Sequence, residues 1–333
     1  MRSASLLVFL SVVPMLLTSV FAAAAQRAPV SATTAAQDAA GERIALWPQG
    51  QVPGEAQGSG HAPRVMERST DPSRPDRYVD QVDAPWLVVH APERGNGKAL
   101  LVVPGGGYQR VVIDKEGTEL VPAWVDQAGY TLFVLRYRLP APGREQGAAL
   151  ADAQRAMRVI RAGAAARGLD PDDIAVMGFS AGGHVAARLA TGFDVADRAP
   201  ADAIDRLSAR PSQAILVYPV IDMGAQAHSG SRQRLLGEDP DAATIARYSQ
   251  QQQVRPDMPP TLLLHAADDN VVDVGNSLLM AQALAKARVE HELHVFAHGG
   301  HGFGMRAAAG STTALWPQLA QRWLQSHNKD VQP

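Results

Sequence analysis

Apolar runs of strand length alternate with stretches of helical periodicity along most of this chain. The runs are "WLVVHA" (86–91), "ALLVVP" (99–104), "YTLFVLRY" (130–137), "IAVMGF" (174–179), "AILVYPV" (214–220), "TLLLHA" (261–266) and "HELHVF" (291–296). Most are continuously apolar rather than alternating, as expected of strands covered on both faces in a mostly parallel sheet. Between them, apolar positions recur at helical spacing over about 115–128, 145–168, 180–191, 275–288 and 312–326. This order predicts an α/β domain with helices on both faces of one sheet, and the first strand or two antiparallel at its edge. Residues 222–258 break the rhythm. They are polar and read as a short helical insertion, too small to be a domain of its own.

The ends and the composition narrow the picture. "MRSASLLVFLSVVPMLLTSVFAAAAQ" places Arg2 before an apolar stretch broken by Pro14 and followed by an alanine run, which is the pattern of a signal peptide cleaved near Ala25. Residues 26–42 lack hydrophobic periodicity and are expected to form a flexible lead-in. Residues 43–333 are left for a single domain, and the expected location is exported, periplasmic or secreted. The chain has no cysteine, so disulfides, thiolate nucleophiles and iron–sulfur ligation are excluded. With 31 basic and 33 acidic side chains and a net charge of −2, it offers no field for nucleic acid or anionic lipid. A small or neutral partner is expected, with no cofactor and no membrane contact in the mature form.

The chemistry concentrates at strand ends. In "VMGFSAGGH" (176–184) a strand gives way to a helix through G-x-S-x-G, the pattern of a tight elbow that exposes a nucleophilic serine, Ser180. Gly178 and Gly182 are needed there because a Cβ two residues before or after the serine would collide with the packed elements. In "VVPGGGYQ" (102–109) glycines follow a strand end directly, so the N–H groups of Gly106 and Gly107, with that of Ala181, are candidate donors to an oxyanion. No Gly-Lys-Ser/Thr follows, so this is not a phosphate loop. In "LLLHAADDNVVDVGNS" (262–277), Asp269 is the expected partner of a catalytic base, Asp268 a turn-capping residue, and Asp273 the N-cap of the next helix. In "FAHGGHGFG" (296–304), glycines flank His301, which makes it the expected base, ahead of His298 at the strand end. A metal on His291, His294, His298 and His301 is disfavoured, since residues 291 and 294 point to opposite faces of a strand. His184 is expected to be structural or at the surface.

The order Ser180, Asp269, His301 is that of the α/β-hydrolase fold. From "IALWPQGQVPGE" (44–55) through "PGGGY", "DAQRAMRVIR" (152–161), "GFSAGGH", "YPVID" (218–222), "LLG" (235–237) and "HGGHGFG", the sequence resembles acetylxylan-esterase-like carbohydrate esterases of bacterial polysaccharide degradation. It departs from the usual hydrolase motifs at Pro104, where the oxyanion loop commonly has histidine, and at Asp273, where proline commonly follows the aspartate. The resemblance implies a serine carboxylesterase that removes small acyl groups, acetyl above all, from plant cell-wall saccharides. From its place late in the sheet, the 222–258 insertion is expected to lie over the site. A feruloyl esterase would need an apolar slot for a ring, to which Trp124, Tyr218 and Phe303 could contribute, although each is equally suited to the core; Tyr108 is a further candidate substrate-binding residue. A prolyl-type peptidase, which usually carries an extra domain, and a catalytically silent binding protein on the same fold are the remaining readings.

Overall fold

The computed structural model describes residues 41–48, 52–53, 62–195 and 199–327. The expected signal peptide and residues 26–40 of the lead-in lie outside the described residues. Eleven strands are present among the described residues: β1 (Glu42–Ala45), β2 (Val65–Glu67), β3 (Arg77–Val79), β4 (Trp86–His90), β5 (Ala99–Val103), β6 (Val111–Val112), β7 (Thr131–Arg136), β8 (Ile174–Phe179), β9 (Ala214–Val217), β10 (Thr261–Ala266) and β11 (His291–Phe296). Eight of them form one sheet in the order β1-β4-β7-β5-β8-β9-β10-β11. From β7 to β11 every pairing is parallel, whereas β4 runs antiparallel to β7, and β1 antiparallel to β4. The expected edge reversal is therefore present. The chain is an α/β-hydrolase fold.

The helices are α1 (Ala148–Gly163), α2 (Ser180–Thr191), α3 (Ser229–Leu236), α4 (Ala242–Tyr248), α5 (Gly275–Ala287) and α6 (Trp316–Ser326). Because side chains alternate across a strand, β5 serves two cores at once. Leu101 and Val103 join Ala153, Ile160, Val185, Leu189 and Met280 on the face covered by α1, α2 and α5. Leu100 and Val102 join Trp124, Trp316 and Trp323 on the opposite face. The unbroken apolar runs of β5, β7, β8, β9 and β10 follow from this, since every side chain in them is buried. The edge strand β11 is mostly half-exposed, which is why it can hold His291, Glu292 and His294.

Three details depart from the sequence reading. The helix expected over 115–128 is a 3-10 turn (Thr118–Leu120) followed by a π-helical stretch (Pro122–Gln127), because Pro122 has no N–H to continue an α-helical ladder from the preceding turn. The strand expected over 214–220 stops at Val217, where Tyr218 adopts φ 38° and the chain turns so that the Val220 N–H meets the Ser180 carbonyl at 3.0 Å. Four short strands were not expected. β1 begins at Glu42, inside the predicted lead-in, and β2, β3 and β6 pair antiparallel in a small second sheet. The insertion holds two short helices, α3 and α4, capped by His228 and Asp241.

Candidate active site

Ser180 is the first residue of α2, directly after β8, and it sits at φ 52°. A non-glycine residue in that region is strained by on the order of 1–3 kcal/mol and stays there only where packing dictates it. Here packing does. A methyl group on Gly178 would lie 2.5 Å from both Ala186 Cβ and the Gly182 carbonyl oxygen, and one on Gly182 would lie 2.1 Å from the Val103 oxygen. The glycines of the elbow are thus required by contact, and the side chain of Ser180 is held at the strand end.

The three residues expected to act together meet. Ser180 Oγ lies 2.9 Å from His301 Nε2, and His301 Nδ1 lies 2.7 Å from Asp269 Oδ2. Asp269 Oδ1 accepts the N–H groups of Val271 and Val272, each at 2.9 Å. The other oxygen has a second histidine, His265, whose Nε2 is 3.2 Å away and 3.0 Å from the Val272 carbonyl, so this nitrogen carries the proton and donates. Burial pushes the Asp269 carboxyl up, but hydrogen bonds from His265 and His301, the charge of His301 and the Val272 N–H outweigh it and hold it well below the usual carboxylate range. Sequence reasoning passed over His265, although it lies four residues before Asp269 on the same strand end. A hydroxyl on an imidazole that a fixed carboxylate orients can lose its proton while it attacks a carbonyl.

Asp268 has a different partner from its neighbour. Its Oδ1 accepts the N–H groups of Gly299 and Gly300 at 2.9 and 2.8 Å. It therefore caps the loop that carries His301 rather than its own turn, a partnership across about thirty residues that local spacing does not reveal. His298 lies beside it, 87% exposed, and is no part of the Ser180 constellation. Asp273 accepts the Gly275 N–H at 2.7 Å, one residue ahead of the N-cap Val274.

The glycine loop after β5 packs straight onto the elbow, since a methyl on Gly105 would lie 2.8 Å from Ser180 Cβ. Gly106 at φ 134° and Gly107 at φ 64° occupy regions that glycine enters without strain. The loop's own hydrogen bonds run from the N–H groups of Gln109 and Arg110 to the Gly106 carbonyl and leave the Gly106 and Gly107 N–H groups out. Ala181 contributes a first-turn N–H of α2, which has no carbonyl acceptor within the helix. A buried residue absent from the sequence reading supports this loop: Glu116 accepts the Gly105 N–H at 2.7 Å and the Tyr218 hydroxyl at 3.1 Å. Tyr218 in turn accepts the Gly304 N–H at 3.1 Å, and its ring meets the His301 ring at a centroid distance of 5.0 Å.

The aromatic residues expected to line a substrate slot are packing residues. Trp124 is fully buried against Tyr130 and Trp316, its ring partners among the described residues, and not against Ser180, His301 or Asp269, which corrects its placement at the site. Phe303 is buried edge-on to Tyr218. Tyr108 is buried beneath the glycine loop, its hydroxyl 2.6 Å from His184 Nδ1, and His184 Nε2 donates to the Tyr248 carbonyl at 2.7 Å. His184 is thus structural, and burial, aided by the charge of Arg188, lowers its pKa to about 3. Only Tyr218 touches the catalytic constellation, through its ring.

A family model described as BD-FAE matches residues 87–284, more than half of the chain. The chain belongs to the BD-FAE family. The matched segment of this BD-FAE chain holds the glycine loop, Ser180 and Asp269. The chain is 33% identical over 248 residues to an acetylxylan esterase of Xylanibacter ruminicola, covering 72% of this chain and 48% of that protein. It is 38% identical over 208 residues to endo-1,4-beta-xylanase B of Butyrivibrio fibrisolvens, covering 61% of this chain and 32% of that protein. It therefore spans half or less of the length of these curated relatives. Among solved structures, the acetyl ester-xyloside bifunctional hydrolase of Caldicellulosiruptor lactoaceticus superposes with a TM-score of 0.71 at 35% identity, covering 86% of this chain and 96% of that one. The carboxylesterase Cest-2923 of Lactobacillus plantarum superposes with a TM-score of 0.61 at 25% identity, covering 79% and 97%.

Proposed function

We propose that this protein is an exported serine carboxylesterase that removes small acyl groups, above all acetyl, from xylan-type polysaccharide or its oligosaccharides. The observation that carries the reading is the run of contacts from Ser180 Oγ to His301 Nε2 at 2.9 Å and from His301 Nδ1 to Asp269 at 2.7 Å. In the mechanism this supports, Ser180 attacks the ester carbonyl while His301 takes its proton, and the imidazolium then protonates the departing sugar hydroxyl. Asp269 keeps the Nδ1–H tautomer and stabilises the imidazolium. The N–H groups of Gly106, Gly107 and Ala181 receive the oxyanion. Water then repeats the cycle on the acyl-enzyme. The similarity to an acetylxylan esterase and to an acetyl ester-xyloside hydrolase supports the saccharide ester as substrate.

A small acyl group fits better than a feruloyl group, because the aromatic residues that a ring-holding slot would draw on are committed to packing. The insertion beside the glycine loop is polar, with Arg232, Arg234, Glu238 and Asp239. Each methylene buried in an apolar acyl pocket would add about 0.8 kcal/mol, so a roomy pocket favours long esters and a closed one rejects them. The test compares 4-nitrophenyl acetate, butyrate and octanoate with acetylated xylan. We expect the highest kcat/KM on the acetate, an almost inert octanoate, and release of acetate from the polymer. Ser180→Ala should abolish all of these with an unchanged melting curve, and a specificity constant that rises with chain length would remove the small-acyl reading.

A further inference from the structure

Two arginines flank the glycine loop, one against Gly107 and one against Gly106. On one side, Arg234 of α3 lies over Gly107: its Nη1 is 3.1 Å from the Gly230 carbonyl and 3.5 Å from that of Gly107. A methyl on Gly107 would find Arg234 Nη1 at 3.8 Å and His228 Cε1 at 3.9 Å. On the other side, the Arg110 stem packs on Gly106, where a methyl would lie 2.7 Å from Arg110 Cγ. The Arg110 guanidinium stands 4.9 Å over the Tyr78 ring, with Arg68 over the same ring at 5.5 Å.

Arg68 is paired with Asp76 at 2.6 Å. Among the described residues neither Arg110 nor Arg234 has a carboxylate partner. Burial, followed by the charge of Arg68, holds Arg110 below the usual arginine range, and the charge of Arg234 acts in the same direction. Arg234 also reaches His228, which burial, the charge of His301 and then that of Arg234 hold below the usual histidine range. Stacking on Tyr78 accounts for the position of Arg110 as an amphipathic stem over an aromatic face. It does not account for Arg234, which lies over no aromatic ring among the described residues and brings a second cation to a crowded rim. The charge of Arg234 acts on Arg110, and an anion bound by both guanidinium groups would offset that repulsion.

We propose that Arg110 and Arg234 form an anion subsite at the rim of the active site, and that the preferred saccharide carries a uronic acid carboxylate close to the ester. The proposal rests on the saccharide-ester reading above. The planar guanidinium forks suit a carboxylate. The subsite binds and orients substrate and takes no part in proton transfer.

The experiment uses 4-nitrophenyl acetate hydrolysis as the reporter and two unacetylated xylo-oligosaccharides of equal length as competitive inhibitors, one with and one without a glucuronic acid branch. The acidic compound should inhibit at a concentration about five-fold or more below that of the neutral one, the scale of a partly exposed charge-assisted pair. The difference should vanish in the R110Q/R234Q variant and shrink in about 0.5 M NaCl, where charges are screened within a few ångströms. Because Arg234 is exposed, R234Q alone supplies the same test if the double variant does not fold. An inhibition ratio near one in the wild type, or a ratio retained in the variant, overturns the subsite. Acetate release from the acetylated forms of both compounds is followed in parallel. Its absence beside selective inhibition overturns the saccharide-ester reading, whereas its presence beside a ratio near one overturns the subsite.

Discussion

The hydroxyl of Tyr218 donates to the buried carboxylate of Glu116 at 3.1 Å, and this contact joins the two loops that flank Ser180. On one side Glu116 accepts the Gly105 N–H of the glycine loop, and on the other Tyr218 accepts the Gly304 N–H of the histidine loop. Loss of the carboxylate would leave buried donors unpaired, at about 1–3 kcal/mol. Glu116→Ala is therefore expected to lower both the melting temperature and kcat/KM for 4-nitrophenyl acetate, the latter roughly 10–100-fold given the precision that such sites demand. Glu116→Gln keeps one acceptor oxygen and should do less harm. Equal activity in Glu116→Ala and wild type would show that the two loops hold their positions unaided.

Adjacent aspartates with different partners make a comparative prediction. Asp269→Asn would present an amide to His301 Nδ1 and hold the ring in the wrong tautomer, which in serine hydrolase triads costs roughly 10⁴-fold in turnover. Asp268→Asn retains an oxygen for the Gly299 and Gly300 N–H groups, so its loss should be under about ten-fold. Steady-state kinetics on both variants decides, and a reversed ranking would exchange their roles.

The elbow predicts a packing failure rather than a catalytic one. Gly182→Ala would drive a methyl group against the Val103 and Pro104 carbonyl oxygens at 2.1 and 2.3 Å, backbone atoms of β5 and its following loop that cannot rotate away. Overpacking of this kind costs on the order of 1–3 kcal/mol or more. We expect a clearly lowered melting temperature, or insoluble protein, where Ser180→Ala melts like wild type.

His184 gives a pH prediction. Burial lowers its pKa from 6.5 to about 3 in the fold, so between those values the unfolded chain binds a proton that the folded chain refuses. Stability contributed by the neutral ring is complete above pH 6.5 and declines as pH falls below it, by at most about 1.4 kcal/mol per pH unit. His184→Gln can still accept from Tyr108 and donate to the Tyr248 carbonyl but does not titrate. Its denaturant midpoint should therefore fall less steeply than that of wild type between pH 7 and 5. Parallel slopes would mean that His184 is charged in the fold or free to leave its pocket.

Much of this molecule was legible in one dimension. Strands buried on both faces must be apolar throughout, so β5, β7, β8 and β10 announce themselves as continuous runs. The elbow around Ser180 is legible as G-x-S-x-G. The collisions that require Gly178 are local, with Gly182 and Ala186 in the following helix, whereas those that require Gly182 come from Val103 and Pro104 of β5 and its loop and are set by the tertiary packing. His301 and Asp269 were legible because each lies just past a strand end, where a parallel sheet gathers its loops. What tertiary structure alone decided are partnerships that no spacing encodes. Glu116 looks like any acidic residue until the fold sets it beneath Gly105 and Tyr218, and His265 looks like a strand residue until Asp269 turns back onto it. Asp268 reads as a local cap, yet its acceptors are needed by Gly299 and Gly300 in another loop. Trp124, Phe303 and Tyr108 show the same limit from the other direction: an aromatic side chain near a glycine loop is apolar surface in the sequence, and only the packing of the two cores determines whether a substrate or another side chain covers it.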